Sequence, residues 1–145
     1  MDRGFAVLIM AVVGGGVALQ APINAGLGKS TGTFAAATIS FAVGTLLLAV
    51  IVALSGKTGD IGEVAHIEWY YLLGGVLGAA YVFSALVLVS EIGAGAVAAA
   101  TVTGQLTTSV LLDRIGFLGL DREPITASRI AGVGLLLAGT YLVVR

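Results

Sequence analysis

Gln105 is a side-chain amide near the middle of a stretch, Gly95 to Leu112, that carries no charge. Around it stand the hydroxyls of Thr101, Thr103, Thr107, Thr108 and Ser109. On a helix, four-residue steps put Thr101, Gln105 and Ser109 on one face, with Thr108 beside them. The chemistry such a face can do is hydrogen bonding, because an amide offers both donors and an acceptor and a hydroxyl offers one donor and two lone pairs. Inside a bilayer the amide cannot be left against lipid tails, since an unpaired polar group in hydrocarbon costs several kcal/mol. The face must meet protein, water or a solute. In one reading Gln105, Thr101 and Ser109 line a cavity and bind a polar substrate. In the other they bond neighbouring helices, and each threonine hydroxyl bonds back to the carbonyl one turn earlier.

A second set of polar groups lies earlier in the chain. Gln20, Pro22 and Asn24 follow the run Gly14, Gly15, Gly16 and are expected to close the first apolar segment. A proline frees a carbonyl one turn before it, and two nearby amides can satisfy that carbonyl or a ligand. Ser40, Tyr81 and Ser84 are further cavity candidates, with packed aromatic surface as the plain alternative for Tyr81. Glu91 falls close to a span end, where a desolvated carboxylate would have a raised pKa suited to proton exchange. Asp113 is expected to pair with Arg114, Arg122 or Arg129, and His66 to be solvated. No Asp, Glu, Lys, Arg or His lies well inside an apolar segment, although proton relays and cation sites usually rely on such groups.

These residues have to be positioned by something, and the composition says what. The 145-residue chain is 58% hydrophobic and 10% charged, with a mean hydropathy of +1.08, too apolar for an ordinary soluble domain of its length. It reads as an all-α integral membrane protein forming a single transmembrane domain over residues 1–145. A helix rising about 1.5 Å per residue needs about 20 residues to cross a roughly 30 Å hydrocarbon core, so charged residues serve as rulers. They mark five spans, at about 4–24, 33–55, 69–90, 95–113 and 126–144. The first segment is kept as a transmembrane helix, not a signal peptide, because the chain behind it is not a soluble domain.

The expected connections are short. Residues 25–32 read as a tight turn, 56–68 as the polar loop, 91–93 as a near-direct joint, and 113–124 as a charged link ending in a helix-starting Pro124 beside the N-cap candidate Thr126. Trp69, Tyr70 and Tyr71 open the third span, where amphipathic rings favour the headgroup level. Small residues four apart, Gly74 with Gly78 and Gly134 with Ala138, would let helices approach closely. Five spans put the termini on opposite sides. Arg3, Lys57, Arg114, Arg122 and Arg129 fall on one side and Lys29 and Arg145 on the other, which favours a cytoplasmic N-terminus.

Other classes find little support. The net charge of −1 with no basic run leaves no footprint for nucleic acid. There is no cysteine and one histidine, so neither a disulfide framework nor a metal site is expected, and no cofactor. No nucleophile-base pair, paired carboxylates within a span or metal cluster is visible, so the chain is not read as an enzyme.

The ordered residues resemble a known family. Gln20, Pro22, Ile23, Asn24, Leu27 and Gly28, then Ile39, Ser40, Phe41 and Gly44, then Gly74, Gly75 and Gly78, then Gly104, Gln105, Leu106, Asp113 and Gly116 are similar to the YdcZ-like family, a five-helix branch of the drug/metabolite transporter superfamily. Residues 129–142 resemble the last helix of the superfamily repeat. The resemblance covers nearly the whole chain. It implies one half of a ten-helix inverted-repeat transporter, completed by an antiparallel second copy or by an oppositely inserted paralogue. It further implies a secondary transporter working by alternating access in a bacterial-type plasma (inner) membrane, and the lack of buried countercharge favours a small polar or weakly charged solute. The charge bias departs from the near balance of a dual-topology chain and keeps the paralogue pair open. A small channel and a non-transporting subunit of a larger complex are the alternatives.

Overall fold

Gly32 and Gly93 decide where the apolar runs break. Both adopt nearly the same backbone, φ 85° with ψ 155° and φ 81° with ψ 159°. That region of the map is open essentially to glycine alone. The computed structural model describes residues 2–145, with Arg3, one of the basic residues counted above, described by its backbone only.

Helix α1 is Arg3–Thr31, capped by Asp2, whose carboxylate accepts from the Gly4 and Phe5 N–H groups at 3.1 and 3.3 Å. Helix α2 is Thr33–Leu54. The polar loop carries 3-10 turns at Thr58–His66 and Trp69–Leu72. A helical run, Leu73–Ile115, follows and is interrupted at Gly93. We number its parts α3 (73–92) and α4 (94–115). Helix α5 is Ala127–Val144.

Among the described residues, four helical runs are long and apolar enough to cross a membrane: Gly4–Thr31, Thr33–Leu54, Trp69–Ile115 and Ala127–Val144. The third has 47 residues, about 70 Å of helix if unbroken, more than twice a roughly 30 Å core. The break at Gly93 divides it into two lengths that each suit one crossing. The chain is therefore an all-α integral membrane protein with five helices.

Two boundary expectations need correction. The first span does not end at Asn24, and residues 25–32 are not a turn: α1 continues through Lys29 to Thr31, and Gly32 alone is the joint. Glycines 26 and 28 cost a helix only about 1 kcal/mol each relative to alanine, whereas the Gly32 dihedrals end it outright. Pro22 sits within this uninterrupted helix, so Gln20 and Asn24 do not flank a broken end. Pro124, likewise, does not start α5. The helix begins at Ala127, and Thr126 caps it by accepting from the Arg129 N–H at 3.3 Å.

Contacts divide the chain into two compact units, Met1–Ser90 and Glu91–Arg145. In the first, α1 packs along α2, and Gly28 faces both α2 and α3. A Cβ there would stand 3.4 Å from Leu86 Cδ2 and 3.7 Å from the Cβ of Ala36, which is fully buried. In the second, α4 and α5 run antiparallel. Gly95 lies against Val143, Ala99 against Thr140, Thr103 against Leu136 and Asp113 against Arg129, a register that steps evenly along both helices.

Candidate functional site

The helical phase of α4 is fixed by what it gives to α5. The Thr103 and Thr140 hydroxyls are 2.6 Å apart, Thr140 donates to the Ala99 carbonyl at 3.1 Å, and Thr103 lies 3.4 Å from the Leu136 carbonyl. Thr103 is buried, as are Ala96 and Val97. Thr101 and Gln105 are each two residues, or about 200° of helical turn, from Thr103, so they point away from α5. Gln105 and Ser109 are exposed and Thr101 is half-buried. One polar face of α4, that of Thr103, is thus tied to α5, and the face bearing Gln105 is not.

Hydroxyls on α4 divide between local and long-range bonds. Thr107 donates back to the Thr103 carbonyl at 2.8 Å and Ser109 to the Leu106 carbonyl at 3.0 Å. Thr38 does the same in α2, donating to the Phe34 carbonyl at 2.9 Å. Back-bonding removes the cost of an unpaired hydroxyl in hydrocarbon without any partner helix.

At the far end of the second unit, Arg129 bridges two carboxylates. Its Nη1 is 3.2 Å from Asp113 Oδ2 and its Nη2 3.5 Å from Glu123 Oε2. The Glu123 N–H also donates to the Asp113 carbonyl at 3.0 Å. Between these groups the chain turns at Gly116, which is left-handed with φ 67°. A Cβ there would fall 2.8 Å from Arg122 Cγ and 3.1 Å from the Leu120 carbonyl oxygen, so only glycine fits. Of the three arginines expected to pair with Asp113, Arg129 does so.

In the first unit the polar candidates separate by burial. Asn24 is 5% exposed and lies on the α1 face that also carries Ala21 and Gly28. Gln20, one turn before it, is exposed. Ser40 is half-buried, one turn past Ala36 in α2, and Tyr81 is half-buried while Ser84 is exposed on α3. Gly78 lies under the Phe41 ring, with a Cβ position 3.6 Å from Cζ. A Cβ at Gly74 or Gly134 would meet nothing within 4 Å, and Ala138 is exposed. Those small-residue faces are open in a single chain. Glu91 is exposed and belongs to the second unit, two residues before the Gly93 joint.

Two features went unread in the sequence. Thr140 is one: it is the lone hydroxyl within the uncharged stretch 130–140 of α5, which was a usable signal. The other is an open apolar groove between α2 and α3 with a volume of about 590 Å³. Its walls are Phe34, Phe41 and Phe83 and its floor Ala37, Ala79 and Ala80, with the Phe34 and Phe83 rings stacked 4.8 Å apart.

Five apolar helices with hydrogen-bonding side chains inside the spans, and charges confined to the span ends, define a polytopic membrane protein. The family described as "Putative inner membrane exporter, YdcZ" matches residues 5–142, and the chain belongs to it. The inner membrane protein YdcZ of Escherichia coli (strain K12) is 25% identical over 147 residues, covering 100% of this chain and 98% of that protein. No solved structure matches. The chain is an inner-membrane protein, and its family's description supports transport as its general role.

Proposed function

We propose that the protein is a secondary transporter of a small polar or weakly charged solute, assembled as an antiparallel pair of five-helix subunits that alternate access to the two sides. The pair is either two copies of this chain or this chain with an oppositely inserted paralogue. One observation carries the reading: Gln105 stands on the face of α4 that α5 does not cover, in a helix apolar enough to lie in the bilayer. An amide there needs a partner. Inverted pairing supplies one, because it brings equivalent faces together near the midplane, where substrate sites of inverted-repeat transporters lie. The scarcity of ionisable groups within the spans favours a solute held by hydrogen bonds over one held by direct ion pairing.

The test combines topology with flux. Tags on both termini report which side each reaches. One chain found in both orientations supports the homodimer, and a single orientation requires the inverted paralogue. Purified protein, with the paralogue where needed, is then reconstituted and screened against neutral, zwitterionic and weakly charged solutes. Saturable, gradient-driven uptake supports the carrier. Steady unsaturated current identifies a channel instead, and no flux across the panel overturns transport.

A further inference from the structure

We propose that Asn24 and Ser40 form an enclosed site in the first unit for one small neutral hydrogen-bonding group, either a water molecule or the hydroxyl or amide of a solute. The inference concerns that unit alone and does not depend on what the protein transports.

The contacts at Gly28 set the register. A Cβ there would stand 3.4 Å from Leu86 Cδ2 on α3 and 3.7 Å from the Ala36 Cβ on α2. Helices α1 and α2 run antiparallel from the one-residue joint at Gly32, and α3 runs back along α2, with Phe83 against Phe34 and Gly78 against Phe41. One turn back from Gly28 on α1 is Asn24, one turn past Ala36 on α2 is Ser40, and one turn back from Leu86 on α3 is Val82. The three residues therefore stand at one level of the unit. Asn24 and Val82 are buried and Ser40 is half-buried.

Neither polar group at this level is spent. Among the described residues, the Asn24 amide and the Ser40 hydroxyl make no hydrogen bond to the protein. Thr31 and Thr38, on the same two helices, donate back to the Leu27 and Phe34 carbonyls at 3.0 and 2.9 Å and need nothing further. An amide that is 5% exposed and unpartnered is costly in a bilayer. No unpaired polar atom of a buried or half-buried described side chain is sealed off entirely. The little surface that Asn24 keeps therefore includes its amide, and a water-sized group reaches it.

Packing and charge select the occupant. On one side of this level the Gly28–Ala36 approach closes the helices together, and on the other Ala21, the next residue of the same α1 face, is 7% exposed. An occupant between these levels is limited to a water or a single functional group. A buried water makes about three hydrogen bonds, and the amide nitrogen, the amide oxygen and the hydroxyl supply three. A solute hydroxyl or amide uses the same donors and acceptors. Residues 4–28, 33–55 and 73–90 contain no Asp, Glu, Lys, Arg or His, so a charged occupant would be desolvated with no countercharge.

Asn24 is the one asparagine of the chain, so the full protein labelled with nitrogen-15 asparagine and reconstituted in liposomes gives a single side-chain amide by proton-detected solid-state NMR. That amide should receive magnetisation from water or from an added solute, yet exchange with bulk water at least about tenfold more slowly than free asparagine. Ser40→Ala should weaken the transfer about fivefold, as for one hydrogen bond lost, and Ser40→Thr should keep it. Graded acetamide, glycerol and acetate separate the sources. A saturable shift with acetamide or glycerol, accompanied by loss of the water transfer, assigns a solute group, whereas retained water transfer that all three leave unmoved assigns a bound water. An equal shift with acetate overturns the neutral class. The site is overturned by an amide that meets neither water nor solute, by exchange at the free rate, or by a Ser40→Ala signal identical to the parent's. An occupied site in protein that shows no flux leaves this inference standing and removes only the proposed transport.

Discussion

Thr103 and Thr140 place their hydroxyls 2.6 Å apart across α4 and α5, and Thr140 passes its proton-donor end on to the Ala99 carbonyl. Neither residue is near the other in sequence, so the pair is a tertiary lock. Replacing one hydroxyl by a methyl takes a partner from the other across a part-buried contact. Thr103→Val should therefore destabilise the α4–α5 pair by about 1 kcal/mol. The double substitution with Thr140→Val should cost less than the sum of the singles, because it removes both ends at once. A double-mutant cycle on unfolding in mixed micelles measures the coupling. Strict additivity would show that the two hydroxyls do not act together.

Gly93 carries a backbone that other residues adopt only under a strain of about 1–3 kcal/mol. Gly93→Ala relieves that strain only if the helix runs on, which would make the 43-residue run Leu73–Ile115 continuous. At about 1.5 Å per residue such a helix is roughly twice the thickness of the hydrocarbon core. The variant should lose correct membrane insertion of α4 and α5, read as altered protease access to a C-terminal tag. Gly32→Ala should be similarly harmful to α1 and α2. Gly14→Ala, within α1 and with open space around its Cβ position, should be neutral or slightly stabilising.

Arg129 joins Asp113 and Glu123, but its side chain is 32% exposed and theirs are 34% and 57% exposed. Solvent and salt screen contacts of that kind, and the stabilisation expected from the pair with Asp113 is under about 1 kcal/mol. Arg129→Gln should thus lower stability modestly at low salt and by less at high salt. Glu123→Gln, which removes the longer and more exposed contact, should change less than Asp113→Asn. Equal losses at both salt concentrations would mean that the arginine acts through packing.

Charged residues were good rulers because charge is excluded from hydrocarbon whatever the tertiary fold. Lys57 to Glu68 and Asp113 to Glu123 therefore bounded α2 to α5 to within a few residues. Glycines and prolines were poorer guides. Gly26, Gly28 and Pro22 suggested a helix end that α1 runs straight through, while the decisive stop at Gly32 depends on dihedrals that composition does not reveal. The packing faces were harder still. In a lipid-spanning helix the side towards protein and the side towards tails are both apolar, so the alternation that marks a soluble helix is absent. Leu86 and Leu135 look alike in sequence, yet the first is 5% and the second 74% exposed. Polar residues escape this degeneracy. The stripe through Thr101, Gln105 and Ser109 was legible for that reason, whereas Thr140 and the Phe34–Phe83 stack needed the three-dimensional register.

Gln105 offers the sharpest functional test, because α5 occupies the other side of its helix. Under the transporter reading its amide bonds either the solute or the matching amide of an inverted partner. Gln105→Leu removes both donor and acceptor at nearly constant volume and, in lipid, removes the need for any polar partner, so the variant should fold and insert at least as well as the parent. Its transport rate should fall about five- to thirtyfold, corresponding to the roughly 1–2 kcal/mol such a bond contributes in membrane helices. Gln105→Asn keeps the chemistry but retracts it by one methylene. It should retain part of the rate if the contact is with a mobile solute, and behave like leucine if the contact is a fixed amide pair across the twofold. Reconstituted uptake, with dimerisation followed separately by crosslinking, distinguishes these outcomes. Full transport in the leucine variant would reduce Gln105 to a packing residue and remove the observation on which the proposed function rests.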